Sequence, residues 1–206
     1  MISSNRGWTE ETEASLEAMQ SAGAIVLSES GASCVTFARC RALSMACDTL
    51  RSFPERDVVL MVDDDMQIPL ATAQALVDEA RSSGVACSAI YATKSRTIAA
   101  ERRPDGLWMT GCGALAIPSK NLLDLEADSP SFEMRGKAYT GFTTAGALNG
   151  RWMGEDFTLC TRLGGVRLLP LAVGHVKPLA IWPDDETLGR IGLRIAEGEQ
   201  MRGASK

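Results

Sequence analysis

Apolar positions along the chain switch between a helical and an extended period, and the switches mark out a succession of elements. After a polar start, Thr9 stands as an N-cap before Glu10, Glu11 and Glu13, acids that suit the positive end of a helix dipole, and a helix is expected to about Gln20 with a stop near Gly23. Ala24 to Leu27 is a short apolar run that reads as a strand, with Ser28 to Ser33 as the loop after it. Ala38, Ala42, Met45 and Ala46 then recur at helical spacing, from a Ser33 cap to a stop before Pro54. Val58 to Val62 is an unbroken apolar run with the length and β-branching of a strand buried on both faces of a parallel sheet.

The alternation continues. Pro69 opens a helix on which Leu70, Ala73, Val77 and Ala80 recur at spacings of three and four, and Gly84 closes it. Val85 to Tyr91 reads as a second buried strand. Gly111 and Gly113 flank Cys112 ahead of the apolar run Ala114 to Ile117, which predicts a close backbone approach to another strand or to a ligand. Asn121 to Leu125 reads as a short helix and Glu126 to Asn149 as a long irregular stretch. Gly154-Glu155-Asp156 opens a helix that runs to Gly164, and Val166 to Val173, interrupted by Pro170, reads as an edge strand ending at Gly174-His175. From Asp184 onward Leu188, Ile191 and Ile195 mark an amphipathic helix. Strands alternating with helices indicate an α/β domain with a mostly parallel central sheet flanked by helices. At 206 residues, one domain spanning 1–206 is expected.

Composition narrows the partners. A formal net charge of -5 argues against a nucleic-acid binder that relies on a broadly basic surface. The six cysteines show no CxxC pair and no zinc-like spacing, so they read as buried thiols in a reducing compartment. Neither a signal peptide nor an apolar run near the roughly 20 residues of a membrane span is legible, and a cytoplasmic location is expected.

Chemistry gathers where the strand Val58–Val62 stops in Asp63-Asp64-Asp65. Unpaired buried charges are too costly for a core, so these acids are expected at the exposed carboxyl end of the strand, where open α/β sheets bind ligands. Strand alternation would turn Asp63 and Asp65 to one side, able to grip Mg²⁺ or Mn²⁺ with phosphate oxygens completing the shell, and Asp64 to the other. A solvated acidic turn explains the same residues equally well. The loop Ala92 to Asp105 carries Lys94, Arg96, Arg102 and Arg103, either a plain surface loop or a basic flap for phosphates. Glu155 and Asp156 either complement a helix dipole or do chemistry.

Taken in order, VDDDMQIP, GEDFTLCTRLGG and GHVKP resemble the GT-A-fold nucleotide-sugar glycosyltransferases, and the likeness covers most of the chain. It is closest to a small bacterial and phage branch whose helix before the acidic strand reads aRN, similar to Ala38-Arg39-Cys40, and whose next strand ends in YPxK, similar to Tyr91-Ala92-Thr93-Lys94. The resemblance implies a single GT-A (Rossmann-like) domain, a Mn²⁺ or Mg²⁺ ion on Asp63, Asp65 and His175, and a nucleoside-diphosphate sugar, expected to be a UDP-sugar, held by Arg39, Asp63, Asp64 and Lys94. It implies that Glu155 and Asp156 lie beside a glycan, lipid or protein acceptor. General-base chemistry points to Asp156, with inversion at the anomeric centre. Two departures stand out. Cys40 replaces the usual asparagine, and the family's first strand would have to precede Asn5, where only Met1 to Ser4 is available, so a missing first strand is one expectation. The rivals are a haloacid-type phosphatase, against which Gln67 stands, a sugar-phosphate nucleotidyltransferase, which would need an early Gly-rich loop, and a non-catalytic nucleotide-sugar-binding module.

Overall fold

The computed structural model describes residues 8–29, 34–93, 97–148, 150–176 and 180–181. Lys94, Arg96, the stretch before Asn5 and the amphipathic run after Asp184 lie outside them. In chain order the elements are α1 (Glu10–Ser21), α2 (Val35–Ser52), β1 (Val58–Val62), β2 (Met66–Gln67), α3 (Leu70–Ser83), β3 (Cys87–Ile90), β4 (Ala100–Arg102), β5 (Trp108–Thr110) and β6 (Ala114–Pro118). There follow α4 (Ser119–Ala127), β7 (Ser131–Met134), β8 (Lys137–Thr140), β9 (Gly146–Leu148), β10 (Arg151–Met153), α5 (Glu155–Arg162), β11 (Arg167–Ala172), β12 (Gly174–Val176) and β13 (Ala180–Ile181).

The central sheet has the order β1-β6-β3-β11. β3 and β11 are parallel, and β6 runs antiparallel to both of its neighbours, so β1, β3 and β11 share one direction with β6 reversed between them. The sheet is therefore mixed. Pleating splits its side chains between two cores. Met61, Leu115 and Ile117 face α2 and α4 with Leu43, Leu50 and Leu122, while Val62, Ala114 and Ala116 face α1 and α3 with Met19, Leu76 and Ala80. Helices thus cover both faces, as the unbroken apolar strands require.

Local signals explain most boundaries. The Thr9 hydroxyl accepts the Thr12 N–H at 3.2 Å and caps α1. Gly84 ends α3 in the left-handed region at φ 67. Pro170 lies on β11, at the sheet edge, where the register with β3 breaks between Leu168 and Ala172. Three expectations are corrected. Ala24 to Leu27 is not a strand: a groove separates it from β1, and no backbone ladder spans the gap. The α2 cap is Cys34 rather than Ser33. Within the supposedly irregular stretch, β7 and β8 form a hairpin from Ser131 to Thr140.

Candidate functional site

At the carboxyl end of β1 the chain stops being a strand. Asp63 N–H donates to Gly113 C=O at 3.1 Å, and Met66 N–H turns back to Asp63 C=O at 3.3 Å, closing a tight turn over the acids. Side-chain alternation, which needs an extended backbone, therefore does not decide where Asp63 and Asp65 point. Nor are all three acids solvated. Asp64 is 9% and Asp65 6% exposed, because α1 and β12 close over them with polar partners. Asp64 C=O accepts from Thr9 N–H and from the Thr12 hydroxyl, both at 3.1 Å. Asp65 C=O accepts from Val176 N–H at 2.7 Å.

Arg39 is the centre of the first half of the site. It sits on α2 and is 2% exposed. Its Nη2 donates to both oxygens of Asp63, at 3.1 and 3.3 Å, and its Nη1 to Glu155 Oε1 at 2.8 Å. It also forms an ion pair with Asp156. Burial opposes its charge, but Asp63 first, then Cys112 and Glu155, outweigh this and raise its pKa. Three carboxylates on one guanidinium leave a formal surplus of two negative charges at the mouth of the site. A planar fork with several donors is what such a junction needs, and lysine could not replace it.

His175 organises the second half. Its Nε2 lies 3.2 Å from Asp65 Oδ2 and its Nδ1 lies 3.0 Å from Ala92 C=O. A carbonyl oxygen only accepts, so Nδ1 carries the hydrogen. Nε2 then meets the Asp65 carboxyl as an imidazolium N–H donor, as the acceptor of a carboxyl O–H, or with a cation shared between them. The Tyr91 ring packs edge-on against His175 with centroids 5.9 Å apart, and the Tyr91 hydroxyl accepts the Gly113 N–H at 3.2 Å.

That tyrosine explains the two glycines. A Cβ on Gly111 would lie 1.9 Å from the Tyr91 hydroxyl oxygen, and one on Gly113 would lie 3.0 Å from Met66 Sδ and 3.1 Å from Tyr91 Cζ. The close approach read from the sequence is real, and the neighbour is a side chain. The tyrosine's role, like the Thr9 and Thr12 bonds to Asp64, had no sequence signal beyond an apolar strand end and an N-cap.

Of the residues expected in the site, Arg39, Asp63, Glu155 and Asp156 meet in one cluster and Asp65 and His175 in an adjoining one, while Lys94 lies outside the described residues. Of the basic loop, residues 97–105 carry strand pairing and an ion pair. Arg102 is on β4, paired to β5, and Arg103 is bound to Asp105 at 2.8 Å. Arg39, expected to face a diphosphate, is engaged by protein carboxylates instead.

Asp65 and His175 offer a divalent cation a carboxylate oxygen and an imidazole nitrogen, which suits Mn²⁺ more than Mg²⁺. Among the described residues no group of three or more His, Cys, Asp or Glu is gathered to hold a metal. The pair fits such an ion where substrate phosphates and water complete the shell. Compared with protein families, with curated proteins and with solved structures, the chain finds no match.

Proposed function

We propose that this protein is a metal-dependent glycosyltransferase that takes a sugar from a nucleoside diphosphate, UDP being the favoured carrier, and delivers it to an acceptor hydroxyl with inversion. The observation that carries this reading is convergence. Residues from α2, the turn after β1, the start of α5 and β12 gather at one end of a mixed α/β sheet, and they are the acids, arginine and histidine that such transfer uses.

Within this reading Asp65 and His175 hold the ion, with Asp63 beside them. When bound, Mn²⁺ or Mg²⁺ supplies positive charge to the departing diphosphate. Asp156 takes the proton of the acceptor hydroxyl as its oxygen attacks the anomeric carbon, and the diphosphate leaves from the opposite side. Arg39 fixes Asp156 and Glu155 against Asp63, so that the base and the donor site keep one spacing. Lys94 is the proposed cation for the diphosphate. A second reading, a binding module of the same fold without turnover, is favoured by the ion pair that engages Asp156 with Arg39.

Calorimetric titration of UDP with and without Mn²⁺ tests the site apart from the chemistry. Binding is expected to need the ion and to weaken at least tenfold in Asp65→Asn and in His175→Ala. Unchanged affinity in EDTA would remove the metal site from the proposal. Asp156→Asn should keep metal-dependent UDP binding and lose about 10²- to 10⁴-fold in transfer. Parental protein that binds a UDP-sugar yet never releases UDP selects the binding module.

A further inference from the structure

Among the described residues β1 is paired on one side only, and the parity of its ladder shows what the other side offers. Ser119 N–H donates to Asp57 C=O at 2.8 Å and Asp63 N–H to Gly113 C=O at 3.1 Å, at the two ends of the β1–β6 pair. In an antiparallel ladder the bonded positions come at every second residue. Asp57, Val59, Met61 and Asp63 therefore turn their N–H and C=O groups towards β6. Val58, Leu60 and Val62 aim theirs the opposite way, and no described strand pairs with that edge.

Those groups face a groove of about 320 Å³ between β1 and residues 22–27. At roughly 30 Å³ per water, this is room for side chains rather than for one or two bridging waters. Leu43 and Ala46 of α2 form one wall, and Met19 of α1 with Ala73 and Val77 of α3 form the other. Val62 is 2% exposed, and no described residue pairs with its outward backbone groups.

We propose that this groove is a strand-addition site, which takes an extended peptide, apolar at successive positions, as a further strand on β1. The occupant follows from the walls. N–H and C=O groups at strand spacing select a peptide backbone over a lipid or a small apolar molecule, either of which would leave them unpaired. Apolar walls on both faces select consecutive apolar residues, as in any strand covered on both sides. The remaining segments of residues 1–206 do not supply them: Met1–Gly7 turns polar after Ile2, and Ile191 and Leu193 are enclosed by Arg190 and Arg194. The consecutive apolar residues a second copy could offer here, Ala24 to Leu27 and its own β1, already line the same groove. The partner is thus a peptide strand from outside residues 1–206, and the inference does not depend on glycosyl transfer.

The test uses the whole chain and an end-blocked peptide, Lys-Val-Ile-Val-Ile-Val-Lys, followed by calorimetry and by amide hydrogen exchange. Saturable 1:1 binding is expected, with exchange at Leu60 and Val62 slowed at least tenfold. The same peptide N-methylated at alternate residues, which keeps its side chains and loses its donors, should bind at least tenfold more weakly. Leu60→Pro removes an N–H aimed into the groove and none from the β6 ladder, so it should also weaken binding tenfold. If that variant does not fold, the methylated peptide still decides. Equal binding of both peptides would show an apolar cavity only. Leu60 and Val62 amides already protected in the free monomer would mean that the chain's own segment fills the groove, and the same protection in a dimer seen by ultracentrifugation would mean that a second copy does. Each of these, like absence of binding at millimolar peptide, overturns the proposal.

Discussion

Gly111 shows how much a single residue can reveal and how much it withholds. The pattern Gly-Cys-Gly announced a close approach, yet the neighbour, Tyr91, is twenty positions away, just past the end of β3, and could not be read from local spacing. Its hydroxyl accepts the Gly113 N–H, so burial, which raises its pKa, keeps it a neutral donor and acceptor. Gly111→Ala would drive a methyl into that hydroxyl and should cost about 1–3 kcal/mol. Tyr91→Phe should cost about 1–3 kcal/mol by orphaning the Gly113 N–H. The double variant should be more stable than the sum of the two losses, because each change removes part of what the other offends. Urea unfolding of the four proteins measures this, and strict additivity would mean the two residues do not meet. The cysteines give a second residue-scale prediction. Five are buried and Cys34 is exposed; the Phe37 N–H lowers the Cys34 pKa, whereas burial pushes Cys47 up to about 12. Iodoacetamide should label Cys34 alone in the folded protein and all six after denaturation, read by mass spectrometry.

At the scale of elements, periodicity located most of the helices and central strands because each had an apolar face of its own. Ala24 to Leu27 misled because a run that short is extended with or without a partner, and pairing is a property of the neighbour. The acids after β1 misled differently. Their alternation assumed that the strand continued, but it ends at Val62, and the turn sends Asp63 to Arg39 of α2 and Asp65 to His175 of β12. Arg39 is the joint between these elements, and its position on a helix could be read while its partners, 24 and 116 residues away, could not. Arg39→Met leaves three carboxylates gathered without a cation. Breaking a buried ion pair from one side costs about 3–5 kcal/mol, so the variant should fall within that range in urea unfolding. Adding Asp63→Asn and Glu155→Gln should restore part of the loss. Failure of that rescue, with Arg39→Met still unstable, would mean that the side chain acts through packing of its stem alone.

Across the whole molecule, the fold class was legible in the alternation of strands and helices, whereas the reversed β6 was not, because an apolar strand covered on both faces carries no mark of its direction. The surface, unlike the core, is held by exposed ion pairs that join elements distant in sequence, and these give the molecule a pH dependence whose sign is fixed. Arg81 of α3 grips Asp57, just before β1, through Nε at 2.5 Å and Nη2 at 3.1 Å. The Arg81 hydrogen bond holds the Asp57 carboxyl below its ordinary value. A carboxylate whose pKa is lower in the folded than in the unfolded state contributes stability that is fully present above the unfolded value, near 3.9, and is lost as pH falls through the folded one. Solvent screening limits an exposed pair of this kind to about 0–1 kcal/mol. Asp57→Asn should therefore lower the urea midpoint slightly between about pH 5 and 7, and the difference from the parent should shrink below about pH 4 and in 1 M salt. A deficit that neither shrinks as pH falls below the unfolded value nor responds to 1 M salt would assign Asp57 a packing or turn role, since an ionic contribution fades with both.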